Sequence, residues 1–116
     1  MTVEEYELAI RPTWNPNGLN QRDQIMNACL GLAGESGEVI DLYKKAYFHR
    51  EFDTEEYLAR RNDDLLKELG DTLYYLTRLI HLAGFTPTQV MQENFIKLSN
   101  RCPERFQPQA EKEVFI

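Results

Sequence analysis

The strongest constraint on this chain is a pair of short acidic motifs set inside leucine-rich stretches that lack proline. Glu35 and Glu38 stand three residues apart in Gly34-Glu35-Ser36-Gly37-Glu38, and Glu68 and Asp71 repeat that spacing in Lys67-Glu68-Leu69-Gly70-Asp71. Residues three apart share a helix face, so each motif predicts two carboxylates side by side on one helix. Four carboxylates gathered from two helices repel one another, and burying a carboxylate without a partner is costly. Such a cluster needs cations, and a hard divalent ion such as Mg²⁺ is the natural candidate.

Apolar spacing places both motifs on helices. Residues 3 to 10 read as a short helix ended by Pro12, followed by a turn-rich loop at Pro16-Asn17-Gly18. From Asn20 to about Tyr47 there is no proline, and Ile25, Ala28, Leu32, Val39, Leu42 and Ala46 recur at helical spacing. His49-Arg50-Glu51-Phe52-Asp53-Thr54 breaks that pattern. Asp53 or Thr54 can cap a second long helix through Leu58, Leu65, Leu69, Leu73, Leu76 and Ile80, which Gly84 ends. Thr86-Pro87-Thr88-Gln89 is a strong start signal, with Thr as N-cap, Pro at the first helical position and Gln at the third. It opens a third major helix reaching about Arg101, just before Pro103. No alternating run predicts a strand, so the expected fold is all-α: a hairpin of two long helices plus a third.

Steps of ~100° around the first long helix put Ala28, Leu32, Val39, Leu42 and Ala46 on one stripe, with Glu35 near its middle and Glu38 beside it. On the second helix the stripe carries Leu58, Leu65, Leu69 and Leu76, with Glu68 at its edge, Asp71 further out and Tyr75 above Glu68. An arbitrary pair of this kind is usually a solvated face. Placement on or beside apolar stripes favours the metal reading here. Gly31, Gly34 and Gly37 each cost the helix ~1 kcal/mol relative to alanine. They serve either close approach of another backbone or room for a ligand. On the third helix Asn94, Lys97 and Arg101 share a face with Val90 and Leu98. An amide and two cations there could hold phosphate oxygens, the arginine in bidentate fashion.

Composition narrows the class. A chain of 116 residues with 42% hydrophobic content suits one domain. We take residues 1 to 116 as that domain, with a core of about 20 to 106 and a tail from 107 to 116 that ends Val114-Phe115-Ile116 and is either disordered or docked on a partner. The net charge of −6 argues against nucleic-acid or anionic-membrane binding, which need a basic surface. Cys29 and Cys102 lack the spacing of a zinc site. The N-terminus has no signal-peptide pattern, and no apolar run approaches the ~20 residues of a membrane span. The expectation is a soluble cytoplasmic protein.

The motifs together closely resemble the MazG-like family of all-α nucleoside triphosphate pyrophosphohydrolases, in its short single-domain form common in bacteria and phages. The resemblance is carried by Leu30-Gly31-Leu32-Ala33-Gly34-Glu35-Ser36-Gly37-Glu38-Val39, by Lys67-Glu68-Leu69-Gly70-Asp71 with Leu73 and Tyr75, and by Asn94-Phe95-Ile96-Lys97-Leu98 with Arg101 and Pro103. It implies cleavage of a nucleoside triphosphate between its α- and β-phosphates, dependent on Mg²⁺ with Mn²⁺ as a substitute. It implies Glu35, Glu38, Glu68 and Asp71 as metal ligands, Lys97 and Arg101 as phosphate contacts, and Tyr75 and Asn94 near the nucleotide. Glu38 is the choice for the base that activates water. Cys102 departs from the aromatic that relatives often carry between the arginine and the proline. Trp14 either stacks on a base or anchors the first helix.

Two other classes compete. A non-catalytic helical module that senses nucleotides or docks a partner would bind without metal-dependent turnover. A di-iron carboxylate bundle commonly uses Glu-x-x-His pairs, whereas residues 46 and 78, three before His49 and His81, are alanine and arginine. His49 then reads as a helix-end residue and His81 as a helix-surface one. Met26, Cys29, Leu30 and Ile40 lie off the main stripe of the first long helix, leaving apolar surface that predicts a homodimer or homotetramer with a four-helix core between subunits.

Overall fold

A computed structural model describes residues 1 to 49 and 53 to 106, so the expectations for the tail and for residues 50 to 52 lie outside the described residues. Five α-helices account for most of that length: α1 (Val3–Ile10), α2 (Gln21–Phe48), α3 (Thr54–Arg60), α4 (Asn62–Leu82) and α5 (Pro87–Arg101). Short 3₁₀ turns follow α1 at Arg11–Thr13 and α5 at Pro103–Phe106. No strand occurs among the described residues.

The helix boundaries follow local chemistry. Thr2 and Glu5 form a reciprocal capping box on α1, and Thr86 and Gln89 form another on α5. The Asn20 side chain accepts from the Asp23 amide at 2.9 Å and starts α2. Between α1 and α2 the chain reverses through Asn17 and Gly18, both at positive φ, and Gly84 at φ 87° ends α4. Of the two caps the sequence offers, Asp53 is the one that starts α3, and His49 closes α2.

The long hairpin is antiparallel. Gln21 Nε2 donates to the Leu82 carbonyl at 3.3 Å, Gly31 meets the Tyr75 ring, and Glu35 meets Glu68 and Asp71, so partners descend along α4 as α2 ascends. Ala28 and Ala46 are fully buried on the inner stripe of α2, with Leu32, Val39 and Leu42 half-buried between them. α1 lies across α4 and reaches α5, where the Thr88 hydroxyl donates to the Glu4 carboxylate.

Two expectations need correction. The second long helix is not continuous: Arg61 sits at φ −101°, ψ 9° between α3 and α4. The cause is local, because Asn62, Asp63 and Asp64 follow, residues that compete with helix interiors but favour the positive end of a new helix. The leucine stripe of α4 is also not the side that meets α2. Leu65, Glu68, Thr72, Tyr75 and Leu79 are half-buried toward the hairpin, while Leu69, Leu73 and Leu76 remain 49%, 49% and 42% exposed. By helical geometry the two faces differ by about 80°. The sequence marks an apolar face but not its partner, and within one chain the inward α4 face is the polar, aromatic one.

Gly31 shows why the hairpin closes so tightly. A Cβ there would stand 2.6 Å from Tyr75 Cζ and nearer still to two other ring carbons, whereas Gly34 and Gly37 face open space. Gly31→Ala therefore gains ~1 kcal/mol of helix propensity against an overpacking penalty of ~1–3 kcal/mol. The expected result is net destabilisation, with Gly34→Ala shifting the denaturation midpoint the other way. Equal stabilisation by both substitutions in chemical denaturation would refute the contact.

Candidate metal and nucleotide site

Three of the four acidic residues converge. Carboxylate oxygens of Glu35, Glu68 and Asp71 all lie within 4.8 Å of one another, drawn from α2 and from successive turns of α4. Glu35 and Glu68 are half-buried, and Asp71 is exposed at the rim. Glu68 Oε2 is buried with no hydrogen-bond donor. Burial pushes the Glu68 carboxyl up from the usual range, and hydrogen bonding with Glu35 and the charges of Glu35, Asp71 and Glu38 push the same way. A hydrogen bond between two carboxyls exists only when one is protonated, so in the ionised state the buried oxygen has no partner. A proton or a cation resolves that, and an all-oxygen set suits a hard divalent ion. The residues present fit the ion that the sequence suggests.

Glu38 stands one turn from Glu35, exposed and outside the three-carboxylate cluster. It lines an adjoining pocket of about 300 Å³ together with Asp41, Lys45, Tyr57, Arg61, Asp64 and Glu68. Lys45 pairs with Asp41 at 2.9 Å, Arg61 with Asp64 at 3.4 Å, and the Arg61 guanidinium lies 5.6 Å over the Tyr57 ring. Hydrogen bonding to Lys45 lowers the Asp41 carboxyl, and Asp41 raises the Lys45 ammonium. Lys45 and Arg61 are thus cations at the edge of the acidic cluster that sequence reasoning missed. The signal was present: Lys45 follows Glu38 by seven residues, two turns on the same face, and Arg61 precedes Glu68 by seven.

On the opposite flank, α1 and its 3₁₀ turn cover α4. Burial raises the Tyr6 phenol, with Tyr74 and then Asp71 adding to the effect, which places Tyr6 near the rim carboxylate. The Thr13 and Tyr74 hydroxyls are 2.6 Å apart. Trp14, a half-buried residue at the end of that turn, meets His81 of α4 with ring centroids 4.8 Å apart. His81 is exposed on the surface of α4, as the sequence predicts, and its Nδ1 stands 3.5 Å from Glu7.

The remaining sequence candidates lie elsewhere in the chain. Tyr75 is half-buried with its ring against Gly31 and edge-on to Tyr74 at 5.3 Å. Asn94 and Lys97 line a separate groove of about 680 Å³ with Phe85, Val90 and Ile96. Arg101 is exposed in the last turn of α5. Among the described residues α5 contributes nothing to the lining of the acidic pocket. No described helix is long and apolar enough to cross a membrane.

The sequence that builds these helices has relatives among known proteins. The chain is 31% identical over 105 residues to the Gene 37 protein of Mycobacterium phage L5, covering 87% of this chain and 89% of the relative. No solved structure matches the chain. The model of the MazG nucleotide pyrophosphohydrolase domain matches residues 24 to 106, which include the paired acidic residues and the whole of α4 and α5. The chain belongs to the MazG nucleotide pyrophosphohydrolase domain family.

Proposed function

We propose that the protein is a Mg²⁺-dependent nucleoside triphosphate pyrophosphohydrolase, releasing a nucleoside monophosphate and pyrophosphate. The observation that carries this reading is the convergence of Glu35, Glu68 and Asp71 around a buried carboxylate oxygen that lacks a donor. These three residues would hold the ion, with Glu38 one turn from Glu35 beside them. A bound divalent ion supplies charge neutralisation at phosphate oxygens and acidifies a nearby water. Mn²⁺, another oxygen-preferring ion, would serve in its place.

Glu38 is the base in this scheme: exposed and next to the cluster, it takes a proton from water as the water oxygen bonds to the α-phosphorus. The bond from that phosphorus to the bridging oxygen breaks, and pyrophosphate leaves. Lys45 and Arg61 exchange their carboxylate partners for β- and γ-phosphate oxygens, with the arginine held by Tyr57. That pairing lets an acidic protein accept an anionic substrate. Lys97, Arg101 and Asn94 contact phosphate if self-association brings α5 to the cluster. The surface left by Leu30, Ile40, Leu69 and Leu73 (66%, 65%, 49% and 49% exposed) supports assembly into a homodimer or homotetramer. The competing non-catalytic module keeps the same pockets without turnover.

Incubation with a panel of nucleoside triphosphates and Mg²⁺, without added pyrophosphatase, decides between them. Pyrophosphate and monophosphate in equal amounts are expected. Orthophosphate alone, or no product from any nucleotide, would overturn the assignment.

A further inference from the structure

At the far end of the hairpin from Lys45 and Arg61, a second pocket of about 300 Å³ is lined by Arg11, Trp14, Pro16, Gln24, Arg78 and His81. Arg78 is only 7% exposed, and its Nε is buried without a hydrogen-bond partner. Trp14 Nε1 is likewise buried and unpartnered. The neighbouring acid, Glu7, is already engaged by Arg11 at 2.9 Å and His81 at 3.5 Å. Gln24 Nε2 donates to the Leu19 carbonyl at 2.9 Å.

Both orphaned groups are donors. Buried polar groups are normally satisfied, and an acceptor entering the pocket would satisfy both donors once a small shift of the two side chains uncovers them. The walls say what kind of acceptor: the Trp14 ring and Pro16 offer flat apolar surface suited to a planar ring rather than to a tetrahedral anion. Position adds a third constraint. Arg78 follows Asp71 by seven residues, two turns along the same side of α4 and about 10 Å from it. A nucleotide with its phosphates at the carboxylates can extend that far.

We propose that this pocket receives the base of the substrate and selects bases carrying a carbonyl oxygen (uracil, thymine, guanine) over those presenting an amino group there (cytosine, adenine). The carbonyl oxygen accepts from Arg78 and Trp14, whereas an amino group would face donors and leave them unpaired. This proposal rests on the nucleotide reading above. It also accounts for a buried arginine that has no ion pair among the described residues.

Trp14 is the chain's single tryptophan, so its fluorescence reports on the pocket directly and without turnover. Wild-type protein with Mg²⁺ is titrated with UMP, TMP, GMP, CMP and AMP, and separately with inorganic phosphate and pyrophosphate. The expected result is a saturable response to UMP, TMP and GMP at concentrations about 10-fold or more below those needed for CMP and AMP. No response, equal affinity for all five, or an equal response to inorganic phosphate would overturn the proposal. In Arg78→Met, KM for UTP should rise about 10-fold or more and the preference for UTP over CTP should collapse toward unity. If that variant does not fold, the wild-type titration still decides. Pyrophosphate release without base preference or Trp14 response sinks this proposal alone, while a Trp14 response to UMP without turnover supports the pocket and sinks the hydrolase reading.

Discussion

Replacing Glu68 with glutamine is expected to do two opposite things: to raise the melting temperature of the metal-free protein and to abolish nucleotide hydrolysis. Three carboxylates crowd within 4.8 Å, and Glu68 contributes an oxygen that is buried without a donor. Glutamine keeps the shape, removes a repelling charge and supplies an amide that can donate to Glu35. A rise of a few degrees is expected for a chain of this size. The same change removes a ligand, and loss of mere supporting groups around metal sites already costs ~10–100-fold, so turnover should fall by at least about 100-fold. Differential scanning calorimetry with and without Mg²⁺ checks the first part, and pyrophosphate release from nucleoside triphosphate checks the second. Wild type should gain stability from the ion and Glu68→Gln should not. A variant that is less stable without metal yet still hydrolyses nucleotides would mean that the cluster is a surface ion network.

The second large effect concerns the face of α4 turned away from the hairpin. Leu69→Glu together with Leu73→Glu is expected to convert the proposed homodimer or homotetramer into monomers. Burying a leucine contributes ~1.5–3 kcal/mol, and a buried unpaired carboxylate is unfavourable in addition. Self-association should weaken at least about 100-fold at ~1.4 kcal/mol per factor of ten. The physical case is the poverty of the core within one chain: among the described residues the buried hydrophobics are Ala28 and Ala46, while Leu30, Ile40 and Leu66 are 66%, 65% and 67% exposed. Size-exclusion chromatography with light scattering reads the outcome. An unchanged mass in the double variant would place the interface elsewhere, and a monomeric wild type would remove it.

The sequence proved readable wherever structure is decided locally. Thr86 with Gln89, Asn20 and Asp53 announce helix starts by their own side-chain chemistry, and those helices begin where expected. The pairing of Glu35 with Glu68 and Asp71 was legible for a related reason: helical spacing and placement beside apolar stripes left the carboxylates few directions to point. What escaped depends on neighbours distant in the chain. The break at Arg61 follows from a balance between apolar period and the Asn62-Asp63-Asp64 run, and period alone cannot weigh it. The inward face of α4 escapes because a leucine stripe marks an apolar side without naming what it packs on, and it is Tyr75 that lies against Gly31 of α2. Lys45 and Arg61 come from different helices and meet the acidic residues only because α2, α3 and α4 fold around one pocket. Arg78 gave no sequence signal at all, since an arginine in a helix is exposed far more often than buried.

The most direct test of the central claim is to locate the ion. Anomalous diffraction from a crystal soaked in Mn²⁺ should place a peak within about 2.2 Å of oxygens from Glu35, Glu68 and Asp71. Ordered carboxylates at that position with no peak between them, or a peak confined to other residues, would contradict the account.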